Sequence, residues 1–127
     1  MRIVVLISRL LLGLVFFVFG LNGFLQFIHP KEMPTGPALQ FIMALMQSHY
    51  VLVVSATQLV GGILLLANRF VPLALALLGP VIVNILCYHI FLSFQGLPLA
   101  IVVAVLWFIL FFRYRQYFAG LFVPKAA

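Results

Sequence analysis

Apolar residues form four long runs, each close to the length that crosses a bilayer. The runs cover residues 3–27, 50–67, 70–94 and 97–112. A bilayer core about 30 Å thick needs about 20 helical residues, and no run shows the alternation typical of barrel strands. Because backbone groups in hydrocarbon must be paired within the span, each run predicts a transmembrane helix. We therefore predict an all-α, integral membrane four-helix bundle forming one transmembrane domain over residues 1–127.

Short polar breaks separate the last three runs. Asn68 and Arg69 divide the second run from the third, and Gln95 and Gly96 divide the third from the fourth. Connections this short predict antiparallel neighbouring helices. We expect the first run to be a retained span rather than a signal peptide, because it is too long for a signal core and Arg9 interrupts it.

The one long connection, from His29 to His49, is expected to carry a short helix of its own. Thr35 or Gly36 before Pro37 is typical of a helix start. Residues 38–48 are apolar apart from Gln40, Gln47 and the final Ser48, and the two glutamines are seven positions apart and so share a face. This pattern predicts a short interfacial or re-entrant helix between spans 1 and 2. It is either a lid over the bundle or an ordinary connecting helix.

Composition excludes a water-soluble fold. Hydrophobic residues make up 67% of the chain and charged residues only 6%, against roughly half and a quarter in soluble domains. The net charge of +6 does not indicate nucleic acid, because the basic residues are isolated or lie at span ends. The single cysteine, Cys87, cannot form an internal disulfide. Membrane lipids are the expected surroundings.

The basic residues predict an orientation. If the chain crosses four times, Lys31 lies beside Glu32 on one side, and every other cation lies on the opposite side: Arg2, Arg9, Arg69, Arg113, Arg115 and Lys125. The positive-inside rule then places both termini in the cytoplasm. We predict Arg9, Arg69, Arg113 and Arg115 to be anchors at the cytoplasmic interface, with the aromatic C-terminal tail at headgroup level.

Polar residues inside the spans are the candidate binding groups, since polar groups in hydrocarbon are costly. The candidates for ligand binding are Asn22, Gln26, Gln58, Asn84 and His89. The amides either bridge helices or line an outward-opening cavity for a quinone or a lipid headgroup. Asn84 and His89 lie about 140° apart around a helix, so one polar stripe holds both only if Pro80 bends it. The spans contain no Asp or Glu, which argues against proton or cation transport.

His89 raises a separate possibility, because imidazole can ligate haem iron or chlorophyll magnesium. His49 is the other histidine near that depth, but it lies at the boundary of its span. No cysteine and acid cluster predicts a zinc site, and no GxSxG or P-loop motif is present. We therefore predict no metal ligands, no catalytic residues and no catalytic activity of the chain itself.

Small residues on two spans predict close helix packing. Gly13 and Gly20 share the Arg9 face of the first span, and Gly61 and Gly62 lie within the second. Glycines let two helix backbones approach each other closely in a membrane.

The motifs in the first three spans resemble the DoxX-like family of small four-span bacterial and archaeal membrane proteins. They are Arg9 with Leu12-Gly13-Leu14, Phe16 and Gly20; the segment 58–65, QLVGGILL; and Arg69 and His89 at the two ends of the third span. Many members carry Glu where this chain has Gln58 and a Lys near Asn22, and both charges are absent here. The resemblance implies association with quinone-reducing or quinol-oxidising membrane complexes, and it supplies no catalytic residue.

Three hypotheses of function follow. The first is a non-catalytic accessory subunit of a larger membrane complex, such as an electron-transfer one, in contact with other subunits or a second copy. The alternative is a quinone- or lipid-binding protein that contributes to a quinone-linked oxidoreductase. The third is a pigment- or haem-binding subunit with His89 as ligand. In each case we expect a bacterial or archaeal cytoplasmic membrane.

Overall fold

The computed structural model describes residues 2–27 and 33–125, and this part of the chain is all-α. The helices are α1 (Arg2–Leu25), α2 (Pro37–Gln47), α3 (Tyr50–Ala67), α4 (Val71–Phe91) and α5 (Leu97–Tyr114), followed by a 3₁₀ helix (Arg115–Phe122). Within the described ranges, four helices (α1, α3, α4 and α5) are long and apolar enough to cross a membrane. The predicted fold class, a multi-pass helical bundle with a short helix between spans 1 and 2, is confirmed.

The helix ends lie within two residues of the predicted run ends, except at the end of α4. The third run was predicted to continue to residue 94, whereas α4 ends at Phe91. The backbone N–H groups of Leu92 and Ser93 both bond to the carbonyl of Tyr88, which closes the helix there. Gly96, at φ 86°, then turns the chain into α5.

The four spanning helices form a closed ring. α1 packs against α3 and α5, and α4 packs against the same two helices. α2 packs against α3. Successive spans run in opposite directions, so the start of α1, the end of α3, the start of α4 and the end of α5 share one end of the bundle. We call this end the basic end, because Arg2, Arg9, Arg69, Arg113 and Arg115 lie there.

Glycines allow the α1 and α3 backbones to touch. A Cβ atom on Gly20 would lie 2.7 Å from the backbone nitrogen of Leu59, and one on Gly62 would lie 2.6 Å from that of Phe17. Gly61 faces the other way, where a Cβ would lie 2.7 Å from Leu78 of α4. The predicted packing role of these glycines is confirmed, because no larger residue fits at this separation.

The core is densest in the half of the bundle next to the basic end. The largest fully buried side chains are Leu12, Phe16, Leu65, Leu75, Leu78 and Leu110. Trp107 of α5 ties this core to α4: its indole N–H donates to the carbonyl of Leu75 at 3.0 Å, and its ring stacks on Phe111. The half nearer α2 is left with room for a cavity.

The end opposite the basic end is uncharged in the ranges the structure describes. Residues 21–27, 33–54 and 86–100 contain no Lys, Arg, Asp or Glu. His29, Lys31 and Glu32, which entered the predicted charge pattern and the predicted connection, lie outside the described residues.

The short helix α2 begins with Pro37 as its first residue, as the sequence predicts. Gly36 precedes it at φ 62° and ψ −140°, a backbone conformation that glycine adopts without a steric penalty. Gln40 and Gln47 are both exposed, and Ala38 is buried. The amphipathic pattern of residues 38–48 therefore corresponds to a real helix, one face of which is turned toward the bundle.

Candidate functional site

A cavity of about 610 Å³ opens between α2, the start of α3 and the second half of α4, at the end opposite the basic end. Its volume lies within the range of small-molecule sites, roughly 300–1,000 Å³. The lining is mostly aliphatic and aromatic with a few polar groups: Phe41, Ile42, Ala44, Leu45, Ser48, Tyr50, Val54, Val81, Asn84, Ile85, Tyr88 and His89.

α4 supplies the polar side of the cavity. Asn84 and His89 lie at the two edges of its lining face, about 140° apart at 100° per residue, with Tyr88 between them. The cavity is lined by a wide face of α4, so it contains both Asn84 and His89. A single narrow polar stripe on a straight helix could not contain both.

α2 supplies the opposite wall. Phe41, Ala44, Leu45 and Ser48 recur at a spacing of three or four and therefore share one helix face. The Phe41 and Tyr88 rings lie 5.7 Å apart between centroids, which is within the range of attractive aromatic pairs. α2 thus covers the polar segment of α4 with an aromatic contact.

Asn84 is held by its own helix. Its Nδ2 atom donates to the carbonyl of Pro80, one turn earlier, at 2.9 Å. A carboxamide has two N–H groups and an acceptor oxygen, so this bond uses one of its donors. The amide is therefore oriented by a fixed backbone group and retains capacity to bind a ligand.

His89 is oriented by the turn that follows α4. Its Nδ1 atom lies 3.1 Å from the carbonyl of Ser93. A carbonyl only accepts, so in the neutral ring Nδ1 carries the proton and Nε2 becomes an acceptor. The ring also packs edge-on against Tyr88 at 5.0 Å and lies against Gly96, where a Cβ atom would come within 2.9 Å of Cε1.

The structure brings together two of the five predicted ligand-binding residues, Asn84 and His89. Asn22 is half-buried on α1, and Gln26 is exposed just beyond the end of that helix at φ 52°. Gln58 is half-buried on α3, two turns before the fully buried Leu65 and on the same face. None of these three lines the cavity.

The other ten lining residues were not singled out as site residues from the sequence, and the aromatic or polar ones among them are Phe41, Ser48, Tyr50 and Tyr88. A signal for Phe41 and Ser48 was present, because the spacing 41, 44, 45, 48 marks a face of α2 about 100° around the helix from Gln40 and Gln47. Tyr88 is one turn after Asn84 and adjacent to His89. What the sequence did not disclose is that α2 folds over this segment of α4.

The cavity is electrically neutral. No Lys, Arg, Asp or Glu lines it. No group of three or more His, Cys, Asp or Glu residues that could hold a metal ion occurs in residues 2–27 and 33–125. His49, whose position at a span boundary argues against a second haem ligand, is exposed at the start of α3.

The predicted anchors at the basic end have contacts of their own. The Arg9 guanidinium donates to the carbonyl of Leu65 and, at 3.3 Å, to that of Leu66. Arg115 donates to the carbonyl of Phe112 at 2.6 Å, and the Arg113 guanidinium lies 5.5 Å from the centre of the Tyr114 ring. Arg69 is exposed in the turn between α3 and α4. These contacts lie within the protein and do not test anchoring at the cytoplasmic interface, which stays a prediction.

These features define a multi-pass helical membrane protein with a neutral, largely apolar cavity near one end. No protein-family model, curated protein or solved structure matches the chain.

Proposed function

We propose that this protein binds a quinone in the cavity beneath α2, as a component of a quinone-linked membrane assembly. One observation carries the proposal. The cavity joins a large apolar and aromatic lining to a few neutral polar side chains, among them those of Asn84, Tyr88 and His89. Sites for small ring-bearing molecules have this composition.

The polar groups suit both states of a quinone head. A quinone carbonyl accepts hydrogen bonds, and Asn84 and the Tyr88 hydroxyl are donors. A quinol hydroxyl donates, and the Nε2 atom of neutral His89 is an acceptor because Nδ1 is directed to Ser93. The pair of rings formed by Phe41 and Tyr88 supplies an aromatic surface for a flat head.

The absence of charge in the lining favours a quinone over a phospholipid. A phosphate moved out of water requires a cation or several charge-assisted hydrogen bonds, and no Lys or Arg lines the cavity. A quinone head carries no charge and asks only for neutral donors. The similarity of the first three spans to DoxX-like proteins supports the same choice, since that resemblance implies association with quinone-linked complexes.

Extraction of the purified protein tests the proposal. The protein is purified in mild detergent from a quinone-containing membrane, extracted with organic solvent, and its quinone is measured per mole of protein by mass spectrometry. We expect a quinone ratio well above that of the bulk lipid. A ratio equal to bulk lipid contradicts the proposal, as does a neutral lipid retained in place of quinone.

Two variant pairs locate the binding site. Ala44→Leu adds bulk inside the cavity and should remove most of the retained quinone, whereas Ala76→Leu, on an exposed position of α4 outside the lining, should leave it unchanged. Asn84→Leu removes one donor and should lower retention about three- to tenfold, the value of one hydrogen bond. Gln58→Leu removes an amide that does not line the cavity. Equal retention within either pair would place the quinone elsewhere.

The basic end supports an orientation with both termini in the cytoplasm. All five arginines lie at that end, and the described residues of the other end carry no charge. The positive-inside rule therefore assigns the basic end to the cytoplasmic face of a bacterial or archaeal membrane. We expect green fluorescent protein fused to the C-terminus to be fluorescent, and alkaline phosphatase fused to the C-terminus to be inactive. The reverse pair of results contradicts it.

A second candidate, an accessory subunit of a larger membrane complex, is favoured by the outer face of α5. Ile101, Val105, Phe108 and Phe112 follow one another along this face and are exposed. The one polar hydrogen of Trp107 is turned inward to α4. Such a face suits a partner helix as well as lipid, and co-purification decides between them: a protein that runs alone from its native membrane argues against the subunit role.

The absorption spectrum of the same preparation tests the third hypothesis, a pigment- or haem-binding subunit, since a colourless protein excludes haem or chlorophyll at His89.

A further inference from the structure

The basic end carries a groove that the quinone proposal does not use. It lies between the end of α5 and the 3₁₀ helix, has a volume of about 730 Å³, and opens widely to the surroundings. Its lining combines two arginines and an amide with four apolar residues: Phe111, Phe112, Arg113, Arg115, Gln116, Ala119 and Phe122. Such a combination differs from the neutral cavity at the other end.

The 3₁₀ helix shapes this groove by folding back on α5. Phe118 is its buried residue, and its ring lies 5.1 Å from that of Phe111. On the other side of the same helix, Phe122 is 74% exposed. Apolar rings exposed beside arginines are typical of a segment that lies in the headgroup layer, with its rings toward the acyl chains.

The positive charge of the groove has no counter-charge in the described chain. Residues 2–27 and 33–125 contain no Asp or Glu, and the only acid of the whole sequence is Glu32, in the connection that leads to α2. The internal contacts of the two arginines are with neutral groups, the carbonyl of Phe112 and the ring of Tyr114. The described chain therefore supplies no anion to pair with these two exposed arginines.

We propose that this groove binds one anionic phospholipid. Arg113 and Arg115 bind its phosphate, and the exposed rings of Phe112 and Phe122 contact its acyl chains. Guanidinium groups suit this role because they present several donors in a planar fork that matches phosphate oxygens. Arg115 uses one of its five N–H donors on Phe112 and retains four for the lipid. Basic pockets on the cytoplasmic side of membrane proteins recognise anionic headgroups by the same chemistry.

Native mass spectrometry of the detergent-solubilised protein tests the site. The protein is mixed with phosphatidylglycerol or phosphatidylcholine of identical acyl chains, and the fraction carrying one lipid is measured. We expect phosphatidylglycerol to be retained in preference to phosphatidylcholine. Arg113→Gln with Arg115→Gln should lower this retention about fivefold per arginine, to the phosphatidylcholine level. Arg113→Lys with Arg115→Lys should retain most of it, because the charge remains.

The control removes the same charge from outside the groove. Arg2→Gln with Arg69→Gln takes two cations from the same end of the bundle, and neither residue lines the groove. This variant should retain phosphatidylglycerol like the wild type. Equal retention of the two lipids by the wild-type protein, or equal loss in the Arg113/Arg115 and Arg2/Arg69 glutamine variants, would overturn the proposal.

The test does not depend on the glutamine variant alone. If the Arg113/Arg115 glutamine variant does not fold, the comparison of the two lipids on the wild-type protein still tests the proposal. Displacement of phosphatidylglycerol by millimolar inorganic phosphate would also overturn the proposal, because it would assign the arginines to a free anion. The quinone content of every variant is expected to equal that of the wild type, since the two sites lie at opposite ends of the bundle.

Discussion

The guanidinium of Arg9 on α1 donates a hydrogen bond to the backbone carbonyl of Leu65, close to the end of α3. A second bond, to Leu66, is 3.3 Å long. The last carbonyls of a helix lack intrahelical partners and carry its partial negative charge. The Leu65 carbonyl also accepts from the backbone N–H of Asn68 at 3.2 Å. Arg9 thus adds a charged donor to carbonyls 56 and 57 positions further along the chain and places a cation at the favourable end of the helix.

Replacing Arg9 with Met should destabilise the α1–α3 pair. Met retains much of the length of the side chain but cannot donate, so we expect a loss of about 2 kcal/mol in the free energy of unfolding, as for a charge-assisted hydrogen bond. Reversible unfolding in mixed micelles, followed by circular dichroism, measures the loss. Arg2→Met removes the same charge from an exposed position at the same end and should change stability little. Equal effects of the two changes would mean that Arg9 acts only through net charge.

The contact between α1 and α3 should depend on Gly20. An alanine there would bring its Cβ atom within 2.7 Å of a backbone nitrogen of Leu59, which cannot move independently of its helix. We expect Gly20→Ala to lower the free energy of unfolding by about 1–3 kcal/mol, the usual cost of overpacking. Gly120→Ala is the matched control, because nothing lies within 4 Å of its added methyl group. A Gly20→Ala protein as stable as the control would contradict this prediction, because it would show that α1 and α3 can move apart at no cost.

The indole of Trp107 should stabilise the α4–α5 pair by its hydrogen bond as well as by its size. Trp107→Phe keeps a ring on Phe111 but removes the donor to Leu75. We expect a loss of about 1 kcal/mol, as for one neutral hydrogen bond. Phe91→Leu is the control, since Phe91 is 79% exposed at the end of α4. The same micelle unfolding assay compares the two variants, and a larger effect at Phe91 would contradict this role of Trp107.

The sequence predicted the helices well because each span follows from a local property. Run length, Pro37 at the start of α2 and the break at Asn68 and Arg69 are all readable without neighbours in space. The order of helices around the bundle was not predicted, since apolar faces pack in many ways. The glycines indicated close packing, but not that Gly62 faces α1 while Gly61 faces α4.

The candidate site was predicted less completely, for a related reason. The polar residues of the spans include Asn84 and His89, which belong to one helix and line the cavity. They also include three amides that do not line it. A cavity is defined by the elements that enclose it. The aromatic wall contributed by Phe41 depends on where α2 folds, and the sequence holds no local signal for that position.

Gly96 should control the position of His89. The residue has φ 86°, and a Cβ atom on it would lie 2.9 Å from Cε1 of His89. Gly96→Ala therefore imposes two penalties: about 1–2 kcal/mol for a left-handed alanine, and displacement of the imidazole from its place beside Ser93. Gly36→Ala imposes a backbone penalty without the contact, because Gly36 has φ 62° and ψ −140° and no atom within 4 Å of an added Cβ. We expect Gly96→Ala to destabilise the protein and to lower quinone retention, whereas Gly36→Ala should only destabilise it.

A double-mutant cycle separates the steric effect from the backbone effect. Combining Gly96→Ala with His89→Ala removes the ring that the new methyl group would meet, so the second change should cost less in the Gly96→Ala background than in the wild type. Unfolding of the wild type, the two single variants and the double variant in the same micelles measures this coupling. Additive losses would mean that His89 and Gly96 are not in contact, and the orientation assigned to the imidazole would then be wrong.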